Sequence, residues 1–361
     1  MDKHNVLKQR LIVLLFIIFA FGPFINIAAD FLKLDISYIK DPDFFRVLLN
    51  TFYESFLSVI FAFLASVIPA FYVYKKNNFI SKIIKSTIFI PFFFPPVSAV
   101  IAFSLLYSKT GIMSIFNFDP GILYTIKGVV LAHVFYNSPI FVKYISEGLR
   151  SIPKNITESY KTEGAGEITG FIKIQLPYIL PNIFRAFFLV FAYSFTSFSV
   201  ILAIGGIKYS TIEVEISTIM RSSLDFSKAL YYALIQFAVL FIINYIISFF
   251  DSYTFEETDN YSNSSEKNPV LFIISLIYAV FEYSFVFISF ITSVYSFSEK
   301  KIDFSGYINL FSKKLNNRFS VTQSIFNSFF IALFVSITVV FITYMIIKNT
   351  SQKSQYIFTS G

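Results

Sequence analysis

Long apolar runs separated by short polar loops organise almost the whole chain. Residues 11–29, 52–74, 86–107, 123–145, 176–204, 229–250, 270–293 and 319–347 are each predominantly hydrophobic. Each approaches or exceeds the ~20 residues that a helix needs to cross a bilayer core. Open strands leave backbone groups unpaired in lipid, so these runs predict helices. The expected fold class is an all-α integral membrane protein of about eight transmembrane helices. One run carries a visible flaw: "PFFFPP", residues 91–96, places three prolines inside the third helix. Broken helices at membrane depth are a feature of secondary transporters and channels, which keeps that class open here.

Composition agrees with the pattern. Hydrophobic residues make up 55% of the chain, aromatic residues 20% and charged residues only 14%, far from the balance of a soluble domain. The first apolar run is longer than a secretory leader's and lacks a small-residue cleavage site, so it reads as a membrane anchor. The net charge of +7 comes from Lys and Arg scattered through loops, which fits membrane topology rather than nucleic-acid binding. There is no cysteine, hence no disulfide or thiolate metal site. With no Trp, the interfacial aromatic belt rests on the 23 tyrosines.

Loop charge sets an expected orientation. With the N-terminus cytoplasmic, inner loops hold Lys3, Lys8, Arg10, Lys75, Lys76, Lys82, Lys85, Lys143, Arg150, Lys154, Lys161 and Lys173. Eight basic residues fall on the outer side of the first six helices, so the bias favours N-in. Lys300, Lys301, Lys313, Lys314 and Arg318, between the last two helices, run against it.

The segment from 146 to 175, between the fourth and fifth runs, faces the cytoplasm in that orientation. Ser151 and Pro153 form a helix start, Gly164 allows a sharp turn, and Pro177 and Pro181 sit near the start of helix five, where a missing donor costs least. The result is a compact helical hook tied at both ends to membrane helices. Its spacing is specific: Glu158-Ser159-Tyr160, three residues, Gly164, nine residues, then Ile174-x-Leu176-Pro177. This resembles the cytoplasmic signature of permease subunits in binding-protein-dependent ABC importers, with Ser159 and Tyr160 in place of two alanines. "IPFFFPPVSAVIAFSLLYSKTGIMS", "GVVLAHVFYNSPIFVKYISEGLRSIP" and "SFTSFSVILAIGGIKYSTIEVEI" are similar to the corresponding parts of thiamine and iron(III) importer permeases, the thiamine type most closely.

The resemblance implies separate ATP-binding cassette ATPase subunits that receive the hook, an extracytoplasmic solute-binding protein, a second permease half, and a bacterial inner membrane. It implies thiamine or a phosphorylated thiamine as solute, with iron(III) next. Glu158 and Gly164 would shape the hook, and Leu176 and Pro177 its junction with helix five. No G-x-x-x-x-G-K-[ST] phosphate loop occurs, so the chain is not expected to hydrolyse ATP. No catalytic site, cofactor or metal is expected.

Three segments divide the chain. Residues 1–250 form a first six-helix permease domain, and the acidic, Ser- and Asn-rich 251–269 a linker. Residues 270–361 form a partial second half of two helices. The second part repeats helix, aqueous loop and Asn-led helix, with "NSFF" at 327–330 echoing "NTFY" at 50–53. On that reading the second half comes from a missing C-terminal part, another chain or a second copy; a non-functional fragment is the remaining alternative.

Few polar residues interrupt the helices. His133 is read as a hydrogen-bonded residue between helices, and Asn137 with Pro139 as a kink or polar contact. Glu282 is expensive at membrane depth; it faces either the solute path or a hydrogen-bond partner. Glu213 and Glu215 fall near the outer mouth, where they would favour a cationic solute or belong to a solvated loop. Glu54, Glu147 and Arg185 are placed near helix ends, where snorkelling accounts for them. "GAGEITG" has neither the spacing nor the preceding strand of a dinucleotide fingerprint.

Overall fold

The computed structural model describes residues 41–108, 112–113, 121–153, 155–156, 166–206, 209–250, 268–296, 301–312 and 320–349, with isolated positions 14, 18 and 22. Apart from those isolated positions, the expected first helix lies outside these residues, as do residues 154 and 157–165 of the hook and residues 251–267 of the linker. The chain divides into two compact units, Asp35–Phe290 and Met1–Leu34 with Ile291–Gly361.

Among the described residues, the regular elements of the larger unit are all helical. Helix α1 (Pro42–Lys75) opens at Asp41, whose side chain accepts from the Asp43 amide, with proline in the first turn. Proline fits there because its missing donor would be unpaired anyway. Then come α2 (Phe79–Thr87), a single turn at Ile90–Phe93, and α3 (Pro96–Tyr107). The third predicted helix is therefore not continuous. Pro91, Pro95 and Pro96 cannot extend a helical ladder, and the chain bends through them.

Helix α4 (Ile126–Ser151) starts at Thr125, which accepts from the Gly128 amide. Helix α5 (Leu176–Phe195) follows a short turn, Glu167–Gly170, and a π-helical stretch, Phe171–Gln175. It stops at Phe195, short of the expected Ile204; the chain turns at Thr196 and re-forms a π-helical turn at Ile201–Gly205. Gly206, at φ 67, makes the exit. Helix α6 (Ile212–Thr218), which continues as a π-helix to Ser223, leads to α7 (Phe226–Phe250) and then α8 (Pro269–Val294).

Among the described residues, five helices are long and apolar enough to cross a membrane: Pro42–Lys75, Phe171–Phe195, Phe226–Phe250, Pro269–Val294 and Val321–Tyr344. Helix α4 is long as well, but it carries Lys127, Lys143, Glu147 and Arg150. It is the centre of the unit. Helix α1 approaches it along a seam of small residues, Thr51, Ser55, Ser58, Ala62, Ser66 and Ala70, all fully buried. Their spacing of three or four keeps them on one face, and small side chains let two backbones come close where no hydrophobic drive exists between helices. Val59, Phe141, Ile145, Ile179, Val190 and Tyr278 then join α1, α4, α5 and α8 in one core. The outer faces are apolar: on α7, Phe241, Ile242, Tyr245 and Phe249 are all exposed, a surface suited to lipid rather than water.

Packing carries the larger unit past the 251–269 segment to Phe290, because α8 contributes Tyr278, Ala279, Glu282 and Phe285 to its buried interior. The expected division is one of sequence repetition, a separate matter from packing. In the smaller unit, β1 (Tyr295–Ser296) pairs antiparallel with β2 (Lys301–Ile302), followed by α9 (Ser305–Leu310) and α10 (Val321–Asn349). No residue in the apolar span of α10 is buried.

One end of the larger unit is tied by polar contacts. Ser210 O accepts from Asn50, the Ile212 amide donates to Thr51 Oγ1, and Lys228 Nζ lies 2.7 Å from Asp41 Oδ2. The hydrogen bond from Lys228, with that from the Asp43 amide, holds the Asp41 carboxyl below the usual carboxylate range. A depressed carboxyl stabilises the fold above its unfolded value and loses that contribution as acid protonates it. Asp41→Asn is expected to cost up to about 1 kcal/mol near neutrality, the scale of a partly exposed pair. Thermal melting of detergent-purified protein should show the two proteins converging as pH falls below about 4; a constant difference across that range would exclude the ion pair as the cause.

Candidate functional site

The polar residues that interrupt the helices gather where the helices break. Glu54 and His133 are 1% and 2% exposed. Glu54 Oε1 lies 2.5 Å from His133 Nδ1, while Ser58 Oγ is 3.1 Å from the same carboxylate oxygen and 2.9 Å from Nδ1. Ser55 Oγ is 3.2 Å from the other oxygen, Oε2. Across the ring, His133 Nε2 meets Ser197 Oγ at 2.8 Å. One turn on, Asn137 donates to Ser194 Oγ. This chain of contacts joins α1, α4 and the end of α5.

Glu54 corrects the sequence reading. It was expected to snorkel near a helix end, but α1 begins at Pro42 rather than Phe52, so the carboxylate sits in the fourth turn, inside the protein. A buried carboxylate needs hydrogen-bond partners, and those come from Ser55, Ser58 and His133. The signal was present as Asp41-Pro42, a helix start upstream of the apolar run.

A cavity of about 400 Å³ opens beside this network. From α4 it is lined by His133, Tyr136, Asn137 and Ile140, spaced to share one helix face. The proline-broken segment contributes Phe94 and Pro96. The remaining wall is Tyr193 with residues 196–200, the irregular stretch after α5. Irregular backbone at membrane depth is tolerated where it lines a cavity or is buried in protein, and π-helical turns, here at Ile201–Gly205, often mark functional sites. Thr196, Ser197 and Ser199 carry no breaking signal in the sequence, where the apolar run continues to Ile204.

The other candidates lie elsewhere. Glu282 is 1% exposed; Ser138, on α4, donates to its Oε1 at 3.0 Å, and Ser138 also meets Tyr278 at 3.2 Å. It holds α8 against α4 and does not line the cavity. Glu213 accepts from Gln236 at 2.7 Å and Glu215 from Ser210 at 3.2 Å, so both brace α6. Leu176 and Pro177 open α5, and Ile174 lies in the π-helical stretch before it. Glu158, Ser159, Tyr160 and Gly164 lie outside the described residues. Among the described residues no three His, Cys, Asp or Glu side chains gather as a metal site would.

The family described as "Binding-protein-dependent transport system inner membrane component" matches residues 62–256, more than half of the chain and all of the cavity wall. The chain belongs to that family. As a member it is a multi-pass membrane permease component of the ABC transporter class. It is 28% identical to "Probable transport system permease protein NifC" of Clostridium pasteurianum over 57% of this chain and 73% of the relative. It is 29% identical to "Probable sulfate transport system permease protein cysT" of Helicosporidium over 43% of this chain and 56% of the relative. With "Thiamine transport system permease protein ThiP" of Haemophilus influenzae the identity is 24%, over 55% of this chain and 38% of the relative. The fold is that of a chain in the crystal structure of a bacterial alginate ABC transporter in complex with alginate pentasaccharide-bound periplasmic protein, at TM-score 0.56 and 18% identity. That match covers 68% of this chain and 93% of the other.

Removing the hydroxyl of Ser138 would leave Glu282 Oε1 without this donor in a dry interior; its Oε2 already lacks a partner among the described residues. Ser138→Ala is therefore expected to cost about 1–3 kcal/mol, read as a lower melting point in detergent. Ser138→Thr, which keeps the hydroxyl, should lose clearly less; equal losses would assign the effect to packing alone.

Proposed function

We propose that the chain forms part of the solute path of an ATP-driven importer and is moved by separate ATPase subunits through the 158–177 hook. The observation that carries this reading is the cavity of about 400 Å³ set in helix breaks of a family-member permease. It is of the size and mixed apolar–polar lining that small solutes occupy. ATP hydrolysis then belongs to the partner subunits, and a solute-binding protein delivers cargo from the outer side. The second half of the path comes from a further part of the protein, another chain or a second copy, and residues 270–361 are its first two helices. The N-terminus is placed in the cytoplasm and the protein in a bacterial inner membrane, as the loop charges of the first six helices support.

Thiamine or a phosphorylated thiamine is the favoured solute, ahead of iron(III). The support is the similarity to ThiP proteins of Haemophilus influenzae and Brucella abortus across 55% and 54% of the chain. Relatives named for sulfate and for molybdate/tungstate match 43% each. A secondary transporter would also use a broken helix, but family membership favours the ATP-driven class.

The hook is tested at Gly164. Gly164→Phe should reduce both solute uptake and ATPase co-purification to below about one tenth of wild type, as expected when a contact of about 1.4 kcal/mol or more is lost. Uptake at the wild-type rate would remove the hook from the mechanism.

A further inference from the structure

We infer that the basic turn between α1 and α2 binds the headgroups of anionic phospholipids, on the membrane face from which the hook departs. Binding is read on the chain alone, so the inference stands apart from the transport reading.

Lys75, Lys76, Lys82 and Lys85 follow one another closely, and no Asp or Glu occurs in the sequence between Glu54 and Asp119. The fold keeps these lysines together. Helix α1 ends at Lys75 and α2 begins at Phe79, so the turn is short. Asn78 fixes it from both sides: its side-chain amide donates to Tyr72 Oη at 2.7 Å, and its side-chain oxygen accepts from the Ser81 amide at 3.0 Å. A further cation arrives from α4, where Arg150 donates to Val73 O at 3.0 Å, in the last turn of α1. Lys143 and Glu147 on the same helix carry opposite charges, so they leave the sign of this end unchanged. The Arg150 contact also places the turn beside the end of α4 that leads into the hook.

Helix α2 is two-faced. Ser81, Ile84 and Thr87 are buried at a spacing of three, whereas Lys82 is exposed and Lys85 half-buried. Phe79, which opens the helix, and Phe89, just past its end, are 75% and 62% exposed. Such rings suit the headgroup level of a bilayer better than water, and lysine stems there lie along apolar surface while the ammonium reaches outward. The third apolar run starts at residue 86, so the lysines stand where the chain enters the membrane. Basic residues clustered beside a membrane helix and on an amphipathic helix attract anionic headgroups. A soluble acidic partner would match the lysines but not the exposed rings; a lipid surface matches both.

The full chain, purified in a neutral detergent, is titrated with phosphatidylglycerol or phosphatidylcholine carrying the same acyl-chain fluorophore, and binding is followed by fluorescence anisotropy. Phosphatidylglycerol is expected to bind about tenfold or more tightly at low salt, since each basic residue near an anionic surface adds roughly fivefold. Raising the salt to about 0.5 M should remove most of that preference. Lys75→Gln, Lys76→Gln, Lys82→Gln and Lys85→Gln combined should reduce it to below about threefold. The same change at Lys300, Lys301, Lys313 and Lys314 alters net charge equally and should leave the preference within about twofold of wild type. Equal binding of the two lipids, a preference unmoved by salt, or no difference between the two fourfold variants would overturn the inference. So would loss of the preference when inorganic phosphate replaces chloride at constant ionic strength, which would identify a free-phosphate site. The lipid, salt and phosphate measurements need only the wild-type chain, so they decide the matter even where a variant fails to fold.

Discussion

A carboxylate and an imidazole buried between two membrane helices set the terms for the rest of the fold. Glu54 is 1% exposed, and in an apolar interior its charge would be prohibitive without partners. Every partner must come from the protein. Ser55 and Ser58 supply hydroxyls from its own helix, and His133 supplies an N–H from α4. That requirement fixes the register of α1 against α4, since a shift of one turn would strand the carboxylate. The small-residue seam permits the close approach, and the Glu54–His133 contact decides where along the seam the helices stop.

The same logic explains why the helix breaks converge. Proline at 91, 95 and 96 frees backbone groups that lipid cannot satisfy, so the broken segment belongs against protein or a cavity. The end of α5 behaves likewise. Thr196 back-bonds to Ala192 O, and the Ser197 amide turns to Ser194 O. With backbone capped in this way, the Ser197 hydroxyl is left for His133. One network thus closes two problems, the buried carboxylate and the unravelled helix end, and the cavity lies beside it.

Much of this was legible in the sequence, unevenly. Apolar runs gave the all-α membrane class because bilayer thickness imposes a length that chance seldom supplies. "PFFFPP" exposed the break in the third run, since proline acts locally. The start of α1 was missed: hydropathy marks where a helix becomes greasy, while Asp41-Pro42 marks where it begins, ten residues before Phe52. That gap turned Glu54 from an interior residue into an end residue. The break after Phe195 contains no Gly or Pro, and hydroxyls bonding back to carbonyls leave no periodic trace. The partner of Glu282 lies 144 residues away in sequence, a tertiary pairing that a linear reading has no means to find. The hook's fixed positions from Glu158 to Gly164 fall outside the described residues and rest on their spacing alone.

Helix α5 connects the two ends of the proposed mechanism. At one end lie Leu176 and Pro177, the junction with the hook; at the other lie Ser194 and the turn into Thr196 and Ser197. The helix is 20 residues long, hence about 30 Å, so a displacement at the hook is delivered near the cavity by a single rigid element. A floppy connection would dissipate such a push. Here the π-helical turn at Phe171–Gln175 gives the lever one point of compliance, on the hook side. The far end is pinned by Asn137 through Ser194 and by His133 through Ser197. Moving α5 therefore strains the contacts that hold the polar groups of the cavity wall in place. On this reading the coupling needs no separate relay: the hydrogen bonds that shape the solute's surroundings are the ones that a shift of α5 must break.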